Sequence, residues 1–196
     1  MTTAKQVKEL REMTGAGMME CKRALEETDG NAEAAIEWLR ERGTLAAKKR
    51  ADRDAREGLV DSYIHPGGRV GVLVEVNCET DFVARNDQFA ALVHDVALHI
   101  AAMAPTWVER TAVPADEVGR LSTLWAAEAA EAGKPPHIAE KLVAGRLEKF
   151  YQEQCLLEQA FLKNADQTVG DAIAEQAARL GEHVRVRRFV RFERGL

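Results

Sequence analysis

Apolar residues recur every three or four positions over residues 4 to 42, every second position from Gly58, and every three or four again beyond Asn86. Those periods predict helices, then strands, then helices. In the first stretch Val7, Leu10 and Met13 share one helical face, Met18, Cys21 and Leu25 a second, and Ala35, Trp38 and Leu39 a third. The turn signal TDGN separates the last two, and Gly43 offers a C-terminal stop. Helices this short are unstable alone, so they must pack together, and a bundle of about 40 residues lies near the lower limit for independent folding.

The next segment, AAKKRADRDAREG, is almost free of large apolar residues and predicts a helical linker over residues 44–57. Its bases Lys48, Lys49, Arg50, Arg53 and Arg56 alternate with Asp52, Asp54 and Glu57, the pattern of a solvated face rather than a nucleic-acid site. From Gly58, LVDSYI and RVGVLVEVN flank HPGG, and Val70, Val72, Val74 and Val76 alternate, which predicts a hairpin over residues 59 to 77. A lone hairpin is marginal and needs cover. An amphipathic stripe of Phe89, Leu92, Val93, Val96 and Ile100 supplies a helix for it.

Beyond that helix, Pro114 is a first-turn residue for a helix through about Ala132, AGKPP stops it, and residues 137 to 154 are again helical. LEQAFLKNADQ reads as irregular or partly extended. Thr168 and Asp171 resemble a capping box ahead of the stripe Val169, Ile173, Ala177 and Leu180, which Gly181 closes. Val184, Val186, Val190 and Phe192 alternate in a final strand. One hairpin, one isolated strand and several helices make an α+β fold. The expected division is a three-helix domain over residues 1–43, a basic helical linker over 44–57, and a core of a small antiparallel sheet packed with helices over 58–196.

Charge refines this division. The net charge of −5 hides a balance of 12 basic and 12 acidic residues up to residue 57, 10 against 19 over 58–182, and 5 against 1 thereafter. Hydrophobic residues at 46% and charged residues at 30% exclude disorder and fibrous folds. No run of about 18 uncharged apolar residues occurs and the N-terminus lacks a secretory apolar core, so the expectation is a cytoplasmic protein with no membrane partner. Cys21, Cys78 and Cys155 are widely spaced, which favours buried or idle thiols over a disulfide framework.

An inventory of catalytic motifs argues against an enzyme and against a bound cofactor or metal. There is no G-x-x-x-x-G-K-[ST], no G-x-S-x-G and no H-E-x-x-H, and the glycines of PGGR are explained by a turn. His94 and His99, five apart, are not neighbours on one helical face, and His65 and His183 read as ordinary polar residues. Arg185, Arg187, Arg188, Arg191 and Arg194, with Phe189 on their face, could track phosphates and stack a base. Protection of an edge strand, or pairing with the acidic middle, accounts for the same arginines and is preferred, so direct nucleic-acid binding is not expected.

NCETDFVARND, residues 77 to 87, places an aromatic in a polar connection between strand and helix. On residue chemistry alone, Asp81 caps the following helix and Phe82 folds back onto it, or Phe82 projects as a wedge. VKELREMTGAGMMECKRALEETDGNAEAAIEWLRERG, AAKK, VEVNCETDFVARN, GKPPHIAEKLVAGRLEKF and RRFVRFERG together resemble the elongation factor Ts family in its short bacterial form, over essentially the whole chain.

The resemblance implies a ubiquitin-associated-like N-terminal domain and a guanine-nucleotide exchange factor acting on GDP-bound elongation factor Tu. It implies that Thr80, Asp81, Phe82 and Val83 form a loop pushed beside the partner's magnesium site. It further implies an N-terminal partner contact through Arg11, Met18 and Met19. Because Met18 shares a stripe with Cys21 and Leu25, Met18 is the core-side member of the pair and Met19 the contact. A sheet with a Val-rich face and limited helical cover predicts a homodimer of facing sheets. The alternative functions are an RNA-binding accessory protein using the arginine-rich strand and a non-catalytic scaffold.

Overall fold

The chain opens on a Thr3 cap: the Thr3 hydroxyl accepts from the Gln6 N–H while the Gln6 side chain accepts from the Thr3 N–H. That reciprocal pair satisfies donors a helix start would otherwise leave free. It begins α1 (Ala4–Thr14), which Gly15 ends in the left-handed region at φ 68°. Then follow α2 (Met18–Glu27) and α3 (Ala32–Arg50). A computed structural model describes residues 2–50 and 53–195, with the side chains of residues 43–50 outside the description.

The remaining elements are β1 (Glu57–Ile64), β2 (Val70–Cys78), α4 (Asp81–Ala84), α5 (Asp87–Met103), α6 (Ala115–Glu131), α7 (Pro136–Gln154), β3 (Ala160–Phe161), β4 (Asn164–Thr168), α8 (Val169–Leu180) and β5 (Arg185–Glu193). The fold is the expected mixture of helices with a small antiparallel sheet, whose strand order is β1-β2-β5. Contacts gather the chain into two units. The first comprises Met1–Val60, Glu75–Val93 and Asp171–Val186; the second comprises Asp61–Val74, His94–Gly170 and Arg187–Leu196.

In the first unit Val7, Leu10, Cys21, Ala24, Leu25 and Ala35 form a core, with Ile36, Trp38 and Leu39 packed against it. Two expectations fail here. α3 continues through Gly43 to Arg50, because one glycine costs a helix only about 1 kcal/mol and the Ala, Leu, Lys and Arg residues beyond it are strong helix formers. The expected linker residues Lys48, Lys49, Arg50 and Asp52 lie outside the described side chains. Met18 is exposed rather than core-side, as is Met13. The connection between α1 and α2 fills the space: the Cys21 thiol donates to the Ala16 carbonyl at 3.7 Å and meets the Thr14 hydroxyl at 3.8 Å.

In the second unit the tip of the β1–β2 hairpin is closed by the His65 N–H on the Val70 carbonyl and the Gly68 N–H on the His65 carbonyl, both 2.9 Å. Gly67 and Gly68 supply the positive φ angles, 90° and 66°. Val72 and Val74 are buried, so the Val-rich face is covered within the chain. The open apolar side chains are on the other face: Ile64, Leu73 and Phe192 line one shallow concavity. The alternation of β5 also departs from expectation. Val184 and Val186 are buried, but Val190 and Phe192 are exposed while Phe189 and Arg191 turn inward. Parity reverses at Arg187 and Arg188, and the Arg191 guanidinium donates to the Ala101 carbonyl at 3.3 Å.

A second hairpin, β3–β4, occupies the stretch expected to be irregular or partly extended, pairing Ala160 with Thr168 and Phe161 with Asn164 across a bulge. Two-residue β3 is too short for alternation to register. His99, fully buried, holds this hairpin through the Gln159 side chain (2.9 Å) and the Leu162 N–H (3.2 Å). α6 begins at Ala115, with Pro114 as its cap residue, and packs against α7. Arg110 grips Glu148 and Glu158 and stacks 4.6 Å from the Tyr151 ring, fixing the base of α7. Among the described residues no helix is long and apolar enough to cross a membrane.

Candidate functional site

β2 ends at Cys78 and the chain turns within two residues into α4. A turn this tight leaves backbone N–H groups without strand or helix partners, and those groups need acceptors. The carboxylate of Glu182 provides them: Oε2 accepts from the Glu79 N–H at 3.0 Å and the Thr80 N–H at 3.1 Å, and Oε1 accepts from the Thr80 hydroxyl at 2.5 Å. The Thr80 hydroxyl in turn accepts from the Val83 N–H at 3.3 Å, so Thr80 is the cap of α4. Asp81 is not the cap.

The bracing is reciprocal. Glu79 Oε1 accepts from the His183 N–H at 2.6 Å and lies 3.4 Å from the Arg53 guanidinium. The His183 Nδ1 lies 3.0 Å from the Arg53 carbonyl, which only accepts, so the imidazole carries its proton on Nδ1. The His183 N–H, helped by Arg53, holds the Glu79 carboxyl below its ordinary value. Buried Cys78 donates its thiol to the Thr80 carbonyl at 3.2 Å; burial, with the Glu182 charge nearby, pushes that thiol up to about 11 and keeps it a donor at neutral pH.

On this braced turn Val83 is buried, whereas Phe82 is 80% exposed. Phe82 therefore does not fold back onto the helix. Asp81 is also exposed and pairs with Arg85 at 3.1 Å, a surface contact of little strength. The sequence pointed to Thr80, Asp81, Phe82 and Val83 and missed Glu182, Glu79 and His183. Glu182 lies 102 residues from Thr80, and nothing in its neighbourhood in the chain distinguishes it from a surface acid.

Arg11, Met18 and Met19 lie on α1 and α2 and are exposed, the two methionines at 58% and 74%. Met19 borders a concavity between α2 and α3, lined also by Lys22, Arg23, Trp38 and Arg42. The Arg42 guanidinium stacks 4.6 Å from the Trp38 ring, a cation over the aromatic wall.

Among the described residues no cluster of three or more His, Cys, Asp or Glu is placed to hold a metal ion. The three cysteines are unpaired and buried. His94 pairs with Asp61 at 2.9 Å, while His99 is buried with Gln159. Phe82 on the braced turn and the adjacent pair Met18 and Met19 are thus large apolar side chains left exposed at the positions the sequence singled out.

The model of the family described as Elongation factor TS matches residues 2–196. Elongation factor Ts of Heliobacterium modesticaldum is 57% identical over 195 residues, covering 100% of this chain and 91% of the relative. Elongation factor Ts of Acetivibrio thermocellus gives the same identity and coverage, and that of Geobacter sulfurreducens is 54% identical over 193 residues, 98% of this chain and 89% of the relative. The chain belongs to the elongation factor Ts family, and so to the translation elongation factors of protein biosynthesis.

Proposed function

We propose that this chain is a cytoplasmic guanine-nucleotide exchange factor that binds GDP-bound elongation factor Tu and drives GDP out through the Thr80–Val83 loop. The observation that carries this reading is Phe82, a large aromatic exposed on a turn whose backbone is held by Glu182. Leaving Phe82 in water forfeits about 2 kcal/mol that burial in a partner would recover. Packed interiors respond to such an insertion by discrete shifts rather than smooth deformation. Asp81, held only by a surface pair, brings a carboxylate that competes for the charge balance around a nucleotide-bound magnesium ion.

A nucleotide held at nanomolar Kd is bound by about 12 kcal/mol, so an accelerator must favour the nucleotide-free partner. Reciprocity then requires nucleotide to weaken the grip of the factor, which lets the cycle turn without covalent chemistry. Residues 1–43 serve as a separate contact, with Arg11, Met18 and Met19 meeting the partner surface and residues 44–57 joining them to the rest. Adjacent exposed methionines suit an adaptable apolar contact. Release of fluorescent GDP from elongation factor Tu, with and without this protein, tests the reading. Acceleration at catalytic amounts supports it; tight binding with unchanged release would make the chain a scaffold, and salt-sensitive RNA binding without exchange would favour the arginine strand.

We further propose a homodimer through the open sheet face of the second unit. Ile64 and Phe192 are 66% and 70% exposed and share a concavity with Leu73, the kind of contiguous apolar surface a second copy would cover. Light scattering should give twice the chain mass of 21.7 kDa, and Phe192→Glu should return it to the monomer value.

A further inference from the structure

The turn that displays Phe82 is held in part from a distant segment of the chain. Gly181, in the left-handed region at φ 76°, ends α8 and swings the chain so that Glu182 and His183 lie along Glu79 and Thr80. Each segment gives a carboxylate to the backbone of the other: Glu182 accepts from residues 79 and 80, and Glu79 accepts from residue 183. Glu182 makes three of these bonds with one side chain, two through Oε2 and one through Oε1. Hydrogen bonds to an ionised acceptor are about twice as strong as neutral ones. Removal of this carboxylate leaves two backbone donors unpaired within the loop and frees the hydroxyl that caps α4.

We propose that Glu182 is a positioning residue for nucleotide exchange, acting through Thr80 to hold the loop in the conformation that presents Phe82 and Asp81 to the partner. This rests on the exchange reading above. A reacting group displaced by about 1 Å can lose roughly a hundredfold in rate, so a wedge on an unbraced turn should bind but act slowly. Glu182 itself need not touch the partner. Its effect passes through the geometry of the loop, which separates it from Phe82.

The test measures release of fluorescent GDP from elongation factor Tu over a range of factor concentrations, for the wild-type protein, Glu182→Ala, Glu182→Gln, Phe82→Ala and the Phe82→Ala/Glu182→Ala double variant. Glu182→Ala should lower the maximal release rate by roughly tenfold or more, with the half-saturating concentration changed by less than about threefold. Glu182→Gln should recover most of that loss, since its amide oxygen can accept from both N–H groups while its NH2 donates to the Thr80 hydroxyl. The double variant should be no slower than Phe82→Ala. Hydrogen exchange at the Glu79 and Thr80 amides should quicken in Glu182→Ala while α5 amides keep their protection.

A wild-type maximal rate in Glu182→Ala overturns the proposal, as do losses that multiply in the double variant or that fall only on half-saturation. If Glu182→Ala does not fold, Glu182→Asp, one methylene too short to keep all three contacts, carries the same readouts and the same criteria. If Phe82→Ala alone leaves release unchanged, the exchange reading itself falls; if Phe82→Ala slows release and Glu182→Ala does not, only the positioning role falls.

Discussion

The T-D-F-V turn and the α1–α2 surface both display apolar side chains to water, but they hold them differently. Phe82 sits on a turn in which the Glu79, Thr80 and Val83 N–H groups find acceptors on Glu182 or Thr80, with Val83 buried beneath. Met18 and Met19 sit on a surface helix whose nearby ion pair, Lys22 with Glu26 at 3.7 Å, is exposed on both sides and contributes a few tenths of a kcal/mol at most. A rigid two-torsion aromatic on a fixed backbone delivers a shape. Two flexible thioethers accept one. A group that must displace its partner's structure needs the first arrangement, and one that only adds affinity is served by the second.

Three variants test that contrast. Phe82→Ala should slow saturated GDP release by roughly thirtyfold, the rate equivalent of about 2 kcal/mol of lost burial, with circular dichroism unchanged because Phe82 lies outside the core. Release at the wild-type rate would remove the distinction between the two regions. Met19→Ala should leave the saturated rate alone and raise the half-saturating concentration about fivefold, from a loss of about 1 kcal/mol at an exposed contact. A fall in the saturated rate would instead give the helix surface a share in displacement.

The smallest effect concerns pH. Glu79 is held below its ordinary value of 4.5 by the His183 N–H and Arg53. A depressed carboxyl stabilises the folded state fully above its unfolded value, and the contribution is lost as pH falls through the lower folded value. The melting temperature of Glu79→Gln should therefore lie below wild type near neutrality, and the gap should narrow only below about pH 4.5. A gap independent of pH would mean that the brace works through shape and not charge.

How much was legible varies by element. The periods at Val7 and Leu10, at Val72 to Val76 and at Phe89, Val93, Val96 and Ile100 bury those residues, because in those stretches one face meets a core, while Met13 is exposed and Leu92 half-buried at the margins of their stripes. Single-residue signals divided: Gly181 closed α8 as expected, Gly43 did not stop α3, and Thr80 rather than Asp81 is the cap at the turn. Where the run was short, as in β3, alternation said no more than partly extended, and where parity changed, at Arg187 and Arg188 of β5, it gave the wrong answer.

Local covalent order determined the helices, the hairpin and the T-D-F-V segment, since period, turn residues and motif are properties of neighbours in the chain. The exposure of Phe82 and Met18, the free face of the sheet and the partners of Glu182 were decided by tertiary structure alone. Each depends on which of several chemically equivalent side chains is brought near by a fold closed over about a hundred residues. A surface glutamate and a structural one have the same formula. Only the Glu79 and Thr80 N–H groups about 3 Å from the Glu182 carboxylate tell them apart.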